Sequence, residues 1–199
     1  MKVLFHFNAN PALQKWAREE CGKGIELVTC EEADETTFLR LLPQIDVIWH
    51  SLKPITAEHM ELGQRLRLIQ KLGIGVNTID LDAARRRNVA VCNTPGANSR
   101  AVAEMALLLM LGVLRRLPEL TRRIREPDGW AIPDSLQQNL SELGGRTVGL
   151  VGFGAAPSVL APWLTGVGAE VIYFDISQKP GAPYPCLPLD EVIARSDIL

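Results

Sequence analysis

Between Lys2 and Pro95 five short apolar runs alternate with segments of helical pattern. The runs are "KVLFHF", "GIELVTC", "IDVIWHS", "LRLIQKLG" and "VAVCNTP". Residues 11–21 place Leu13, Trp16 and Ala17 on one helical face, and "DETTFLRLLPQ", "TAEHMELGQ" and "LDAARRRN" supply three more helical stretches. Connections of this length are too long for tight hairpins and suit crossover helices, so the strands must run parallel. The expected class is α/β, with a flavodoxin-like parallel sheet over residues 1–98.

The pattern restarts further on. Asn98 and Ser99 offer capping chemistry to an apolar helix expected over 101–117, and Pro118 closes it. Residues 118–146 are mostly polar, contain Pro127, Gly129 and Pro133, and read as a surface excursion. "GGRTVGLVGFG" then forms a strand and turn, "AEVIYFD" a second strand, "SQKPGAPYPCLP" a loop, and "LDEVIARSDIL" a short helix leading into a further strand. Residues 99–199 therefore read as the N-terminal half of a doubly wound, Rossmann-type domain. The helix at 101–117 is interrupted only by Glu104 and Gly112 between Val102 and Leu114. A helix apolar nearly all round needs cover on more than one face, either between the two units or at a subunit interface. A homodimer through this helix is the expectation.

Composition narrows the partners. The chain carries 21 basic and 23 acidic residues, for a net charge of -2, which gives no electrostatic footprint for nucleic acid or anionic membrane. The run Val102–Leu114 is too short to span a bilayer. Cys21, Cys30, Cys92 and Cys186 follow no metal-ligand spacing and read as reduced thiols of a cytoplasmic protein. No metal site is expected.

The chemistry concentrates in "TVGLVGFGAA". A strand that ends in Gly-x-Gly and opens a helix makes an anion site, because Gly152 permits a tight turn, Gly154 lets the backbone approach a pyrophosphate, and the helix amides face the charge. Asp175 ends the next strand about twenty positions on, where an acid accepts hydrogen bonds from ribose hydroxyls. Ile176 and Ser177 follow it with no arginine, which favours NAD over NADP. Two prolines oppose this reading. Pro157 adds bulk in the first helical turn, and Pro162 removes an interior N–H at a usual cost of roughly 3 kcal/mol. The helix is expected to be kinked, shortened or restarted at Pro162, leaving NAD binding weakened or lost.

The blocks "LIQKLGIGVNTIDLDAARRRNVAVCNTPGANSRAVAEMALLLMLGVLRR", "ELGGRTVGLVGFGA", "GAEVIYFD" and "LDEVIARSDIL" resemble the NAD-dependent D-isomer-specific 2-hydroxyacid dehydrogenases. The resemblance implies a substrate domain followed by a Rossmann domain, and NAD-linked interconversion of a 2-hydroxy acid and a 2-keto acid. It implies that Ile74 and Gly75 offer amides to the substrate carboxylate, with Ile74 also near the nicotinamide. It implies cofactor contacts from Gly152, Gly154, Ala155, Ala156 and Asp175. His50 stands where several relatives place a substrate-facing arginine, so a substrate contact is expected of it. The family's catalytic arginine, glutamate and histidine are implied beyond Leu199, so no catalytic residue is assigned within the chain and the 199 residues are expected to be inactive alone. A non-catalytic binding or scaffold relative is the alternative.

Overall fold

The computed structural model describes residues 1–199, which divide into two compact units, Met1–Ala97 and Asn98–Leu199. The first holds a five-stranded parallel sheet in the order β2-β1-β3-β4-β5, built from β1 (Lys2–His6), β2 (Glu26–Cys30), β3 (Val47–His50), β4 (Leu68–Lys71) and β5 (Ala90–Cys92). The connections carry α1 (Pro11–Glu20), α2 (Glu35–Leu41), α3 (Ala57–Leu62) and α4 (Leu81–Arg86). Each helix starts on a residue whose side chain accepts a first-turn amide: Asn10 from Leu13, Asp34 from Thr37, Thr56 from His59, and Asp80 from Ala83.

Alternation decides which side chains meet. Leu4, Ile48 and Ile69 share one face and pack with Phe38, Met60, Ala83 and Ala84 of α2, α3 and α4. Phe5, Trp49 and Gln70 lie on the other face and, with Trp16 of α1, line an apolar hollow of about 600 Å³. Register also sets Cys30, His6, His50 and Lys71 side by side at the carboxyl ends of β2, β1, β3 and β4. They share the face of Leu4, Ile48 and Ile69 and are all buried.

The second unit contains α5 (Ser99–Leu114), α6 (Leu117–Arg123), α7 (Asp134–Gln137), β6 (Thr147–Val151), α8 (Ala155–Gly166), β7 (Glu170–Phe174) and α9 (Leu189–Arg195). β6 and β7 pair in parallel around α8, and Val148 makes a parallel bridge to Ile198 on the other side. Gly149 allows α9 to sit against β6, since a Cβ there would collide with Ser196 Oγ.

Three expectations are corrected. The apolar helix ends at Leu114 rather than 117, because Arg116 turns left-handed at φ 51° and the chain restarts as α6 with Pro118 in its first turn. Residues 118–146 are more than a surface loop: they hold α6 and α7 and bury Leu136 and Leu143. Finally, α8 runs from Ala155 to Gly166 through Pro162, neither shortened nor restarted. Pro162 and Ser158 both lie on its exposed side, while Leu160, Ala161 and Leu164 are buried. The lost hydrogen bond therefore lies on the solvent side of the helix rather than in the core, and the helix continues through it.

Candidate functional site

In the first unit the order of the strands reverses beside β1, and ligands of open α/β sheets bind outside the carboxyl ends of strands at such a point. The turn Gly73–Gly75 leaves β4 at this edge. Its carbonyls are pinned: Gly73 O accepts from Thr94 N at 3.0 Å and Thr94 Oγ1 at 3.2 Å, and Ile74 O accepts from Asn93 Nδ2 at 2.8 Å. Ile74 and Gly75 are exposed, and their amides donate to no protein acceptor. Successive free amides on a fixed turn form a nest suited to a carboxylate.

His50 sits differently from its expected role. It is fully buried, with Nε2 2.9 Å from Thr78 Oγ1 and Nδ1 without a partner. Direct contact with a substrate is out of its reach, because the strand register turns it to the helix-covered face. Burial pushes its pKa down to about 4, helped by the Lys71 ammonium and by His6. His6 is also fully buried, stacked on Phe38 at 4.2 Å, with neither ring nitrogen bonded. Its pKa is lowered chiefly by burial. His59 completes a capping box with Thr56 and reaches Glu35 Oε1 at 3.2 Å, which is a structural role.

Lys71 was not singled out by the sequence. It is buried and donates to the Ser51 carbonyl and to Thr78 Oγ1 at 3.3 Å. The available signal was a lysine following Ile69 at the inward spacing of "LIQK".

In the second unit Gly152 takes φ 91° and donates to Phe174 O at 2.7 Å. Open space lies where a Cβ of Gly152 or Gly154 would point. Gly154 is the N-cap of α8, and the first-turn amides of Ala155 and Ala156 have no intrahelical partner. Pro157, next in line, has no amide to offer. Phe153 is buried against Tyr173, with ring centroids 4.3 Å apart.

Asp175 faces this turn but is already engaged. Oδ2 accepts the Phe153 amide at 2.8 Å, Oδ1 accepts the Ser177 amide at 3.1 Å, and Lys179 Nζ lies 3.3 Å away. The two amides, then Lys179, hold its carboxyl below the usual range. The acid thus fixes the glycine turn. Ile176 and Ser177 place no cation directly after Asp175, and Lys179 supplies one four residues on.

A parallel β-α-β unit with a glycine turn and an acid at the second strand end thus follows an open sheet carrying an amide nest. A sequence model described as "D-isomer specific 2-hydroxyacid dehydrogenase, catalytic domain" matches residues 3–179. The chain belongs to this family. Its family relatives include a hydroxypyruvate reductase from Thermotoga maritima, 30% identical over 198 residues, which cover 98% of this chain and 63% of the relative. A glyoxylate reductase from Thermococcus onnurineus is 32% identical over 179 residues, covering 84% of this chain and 53% of its own length. Among solved structures, the TT0316 protein from Thermus thermophilus superposes with a TM-score of 0.85 at 30% identity, covering 99% of this chain and 63% of its own. An NAD-dependent formate dehydrogenase from Staphylococcus aureus in complex with NAD gives 0.83 at 25% identity, covering 99% and 63%. The chain thus spans less than two thirds of these family members.

Proposed function

We propose that this chain carries the carboxylate-holding and nucleotide-holding parts of an NAD-linked dehydrogenase acting on a small 2-hydroxy acid and its 2-keto acid. The observation that carries the reading is α8 springing unbroken from the Gly152–Gly154 turn with the Ala155 and Ala156 amides free. NAD supplies the hydride acceptor or donor when bound. Gly152, Gly154, Ala155 and Ala156 would lie against its pyrophosphate, with Asp175 toward the ribose through lone pairs left over from Phe153 and Ser177. Ile74 and Gly75 would hold the substrate carboxylate. Pro157 removes one amide from the phosphate cradle, so binding is weaker than a full first turn would give.

None of the three histidines is placed to exchange a proton with a substrate. His6 and His50 are buried, and His59 is held by Thr56 and Glu35. Hydride transfer needs a proton partner, so these 199 residues alone are proposed to lack turnover. Free thiols at all four cysteines fit a reducing cytoplasm. The exposed apolar side of α5 fits a homodimer.

Calorimetric titration of the 199-residue chain with NAD tests this. Binding that strengthens in Pro157→Gly is expected, together with no NADH oxidation on adding glyoxylate or hydroxypyruvate. Absence of NAD binding in both forms would instead favour a non-catalytic binder, a reading that the engagement of Asp175 by Phe153, Ser177 and Lys179 also suits.

A further inference from the structure

We propose that Lys179 and Ser177 open the ribose end of the second unit's nucleotide site to a 2′-phosphate, so that NADP is held at least as tightly as NAD. This rests on the reading of the Gly152–Gly154 turn as a nucleotide site, and it sets which dinucleotides that site takes. An acid at the end of the second strand selects NAD in two ways. Its free oxygens accept from ribose hydroxyls, and its charge repels the 2′-phosphate that a nearby cation would accommodate. Asp175 stands in that place with both capacities reduced. Oδ2 accepts the Phe153 amide at 2.8 Å, and Oδ1 accepts the Ser177 amide at 3.1 Å with the Lys179 ammonium 3.3 Å away. Each carboxylate oxygen offers about two acceptor positions, so Oδ1 is filled and Oδ2 has one left. The ammonium also offsets the charge that would turn a phosphate away.

Lys179 is fixed from its backbone. Its amide donates to the hydroxyl of buried Tyr173 at 3.2 Å, and its carbonyl accepts the Ala182 amide at 3.2 Å. From that anchor the ammonium donates to Ser177 Oγ at 3.2 Å. Two of its three donors are thus engaged, on Asp175 and Ser177, and the third is open. Because Ser177 Oγ accepts from Lys179, its own O–H is available to donate. The Lys179 side chain is 36% exposed against 10% for Asp175, so a ligand at this end meets the cation and the hydroxyl before the carboxylate. A 2′-phosphate brings charge and acceptor oxygens to that pair. A bare 2′-hydroxyl finds one remaining acceptor position on Asp175.

The experiment is an NMR titration of the 199-residue chain with NAD and with NADP at constant ionic strength. It follows the Gly154, Ala155 and Ala156 amides at the turn and the Ser177 amide at the ribose end. NADP is expected to shift both sets, with a Kd no higher than that of NAD. Lys179→Met is expected to weaken NADP by about tenfold or more, the loss of a hydrogen bond to a charged group. The same variant should not weaken NAD, because Oδ1 regains an acceptor position for the ribose. Lys179→Arg should retain NADP binding.

Tighter binding of NAD than of NADP by the wild-type chain overturns the role of Lys179 and leaves the nucleotide reading standing. A Lys179→Met variant that loses both nucleotides alike, or neither, has the same meaning. The wild-type comparison decides the matter even where that variant does not fold. If neither nucleotide moves the turn amides, the nucleotide reading falls, and the Lys179 proposal falls with it.

Discussion

His50 illustrates how a single side chain changes meaning once its face is known. The family resemblance implies a substrate contact for it, yet the register with His6 and Lys71 turns it inward. Its folded pKa of about 4 lies below the ordinary 6.5. Between those values the unfolded chain binds the extra proton, so stability is complete above about pH 6.5 and is lost as pH falls toward 4. The loss from this group amounts to roughly 3 kcal/mol across the window. His6, also lowered by burial, acts in the same direction. Urea unfolding followed through resolved signals of β3 should therefore give a midpoint that drops between pH 7 and pH 5. A His50→Gln variant should lose part of that slope, and an unchanged slope would refute the assignment. Sequence reasoning could not supply this, since nothing in a lone histidine says which neighbours it meets across a sheet. Lys71 escaped notice for the same reason, although the alternation Ile69 to Lys71 carried the hint.

At the level of elements the sequence was most informative where periodicity and capping agree. Asn10, Asp34, Thr56 and Asp80 sit where the helical stretches begin, and alternating runs such as "KVLFHF" fall in strands. The apolar helix was overextended because its hydrophobic pattern continues past the point where Arg116 takes a left-handed turn. Pro162 was misjudged because the cost of an interior proline depends on where the stranded carbonyl points. On α8 that carbonyl belongs to exposed Ser158, on the side of the helix open to solvent, where the loss of an N–H costs less than it would in the core. Some cost remains. Pro162→Ala should stabilise the second unit by about 1–3 kcal/mol, since alanine restores the helical donor and removes the ring from the preceding turn. Thermal unfolding of the variant measures this. A lowered midpoint would mean that the proline ring supports packing in a way its exposure conceals. The glycine turn was legible from "GFG", whereas the capture of Asp175 by Phe153, Ser177 and Lys179 depends on how a four-proline loop folds back.

For the whole molecule the unresolved demand is the surface of α5. Ala103, Ala106, Leu107, Met110 and Leu114 pack in the core of the second unit. Val102, Met105, Leu109 and Val113 do not, and Leu109 and Val113 are 60% and 76% exposed. These four positions fall on one side of a 16-residue helix at spacings of three and four, so they form a continuous apolar stripe about 17 Å long. A stripe of this kind stays out of water only if something covers it, and a second copy presenting the same stripe is self-complementary by two-fold symmetry. Sedimentation velocity of the 199-residue chain at tens of micromolar should show a dimer, and Leu109→Glu should convert it to monomer with little change in the melting of an isolated unit. The substitution places a charge on a surface that is already exposed, so its effect on folding is small while its effect on association is large. A wild-type chain that sediments as a clean monomer at that concentration would remove α5 as the interface.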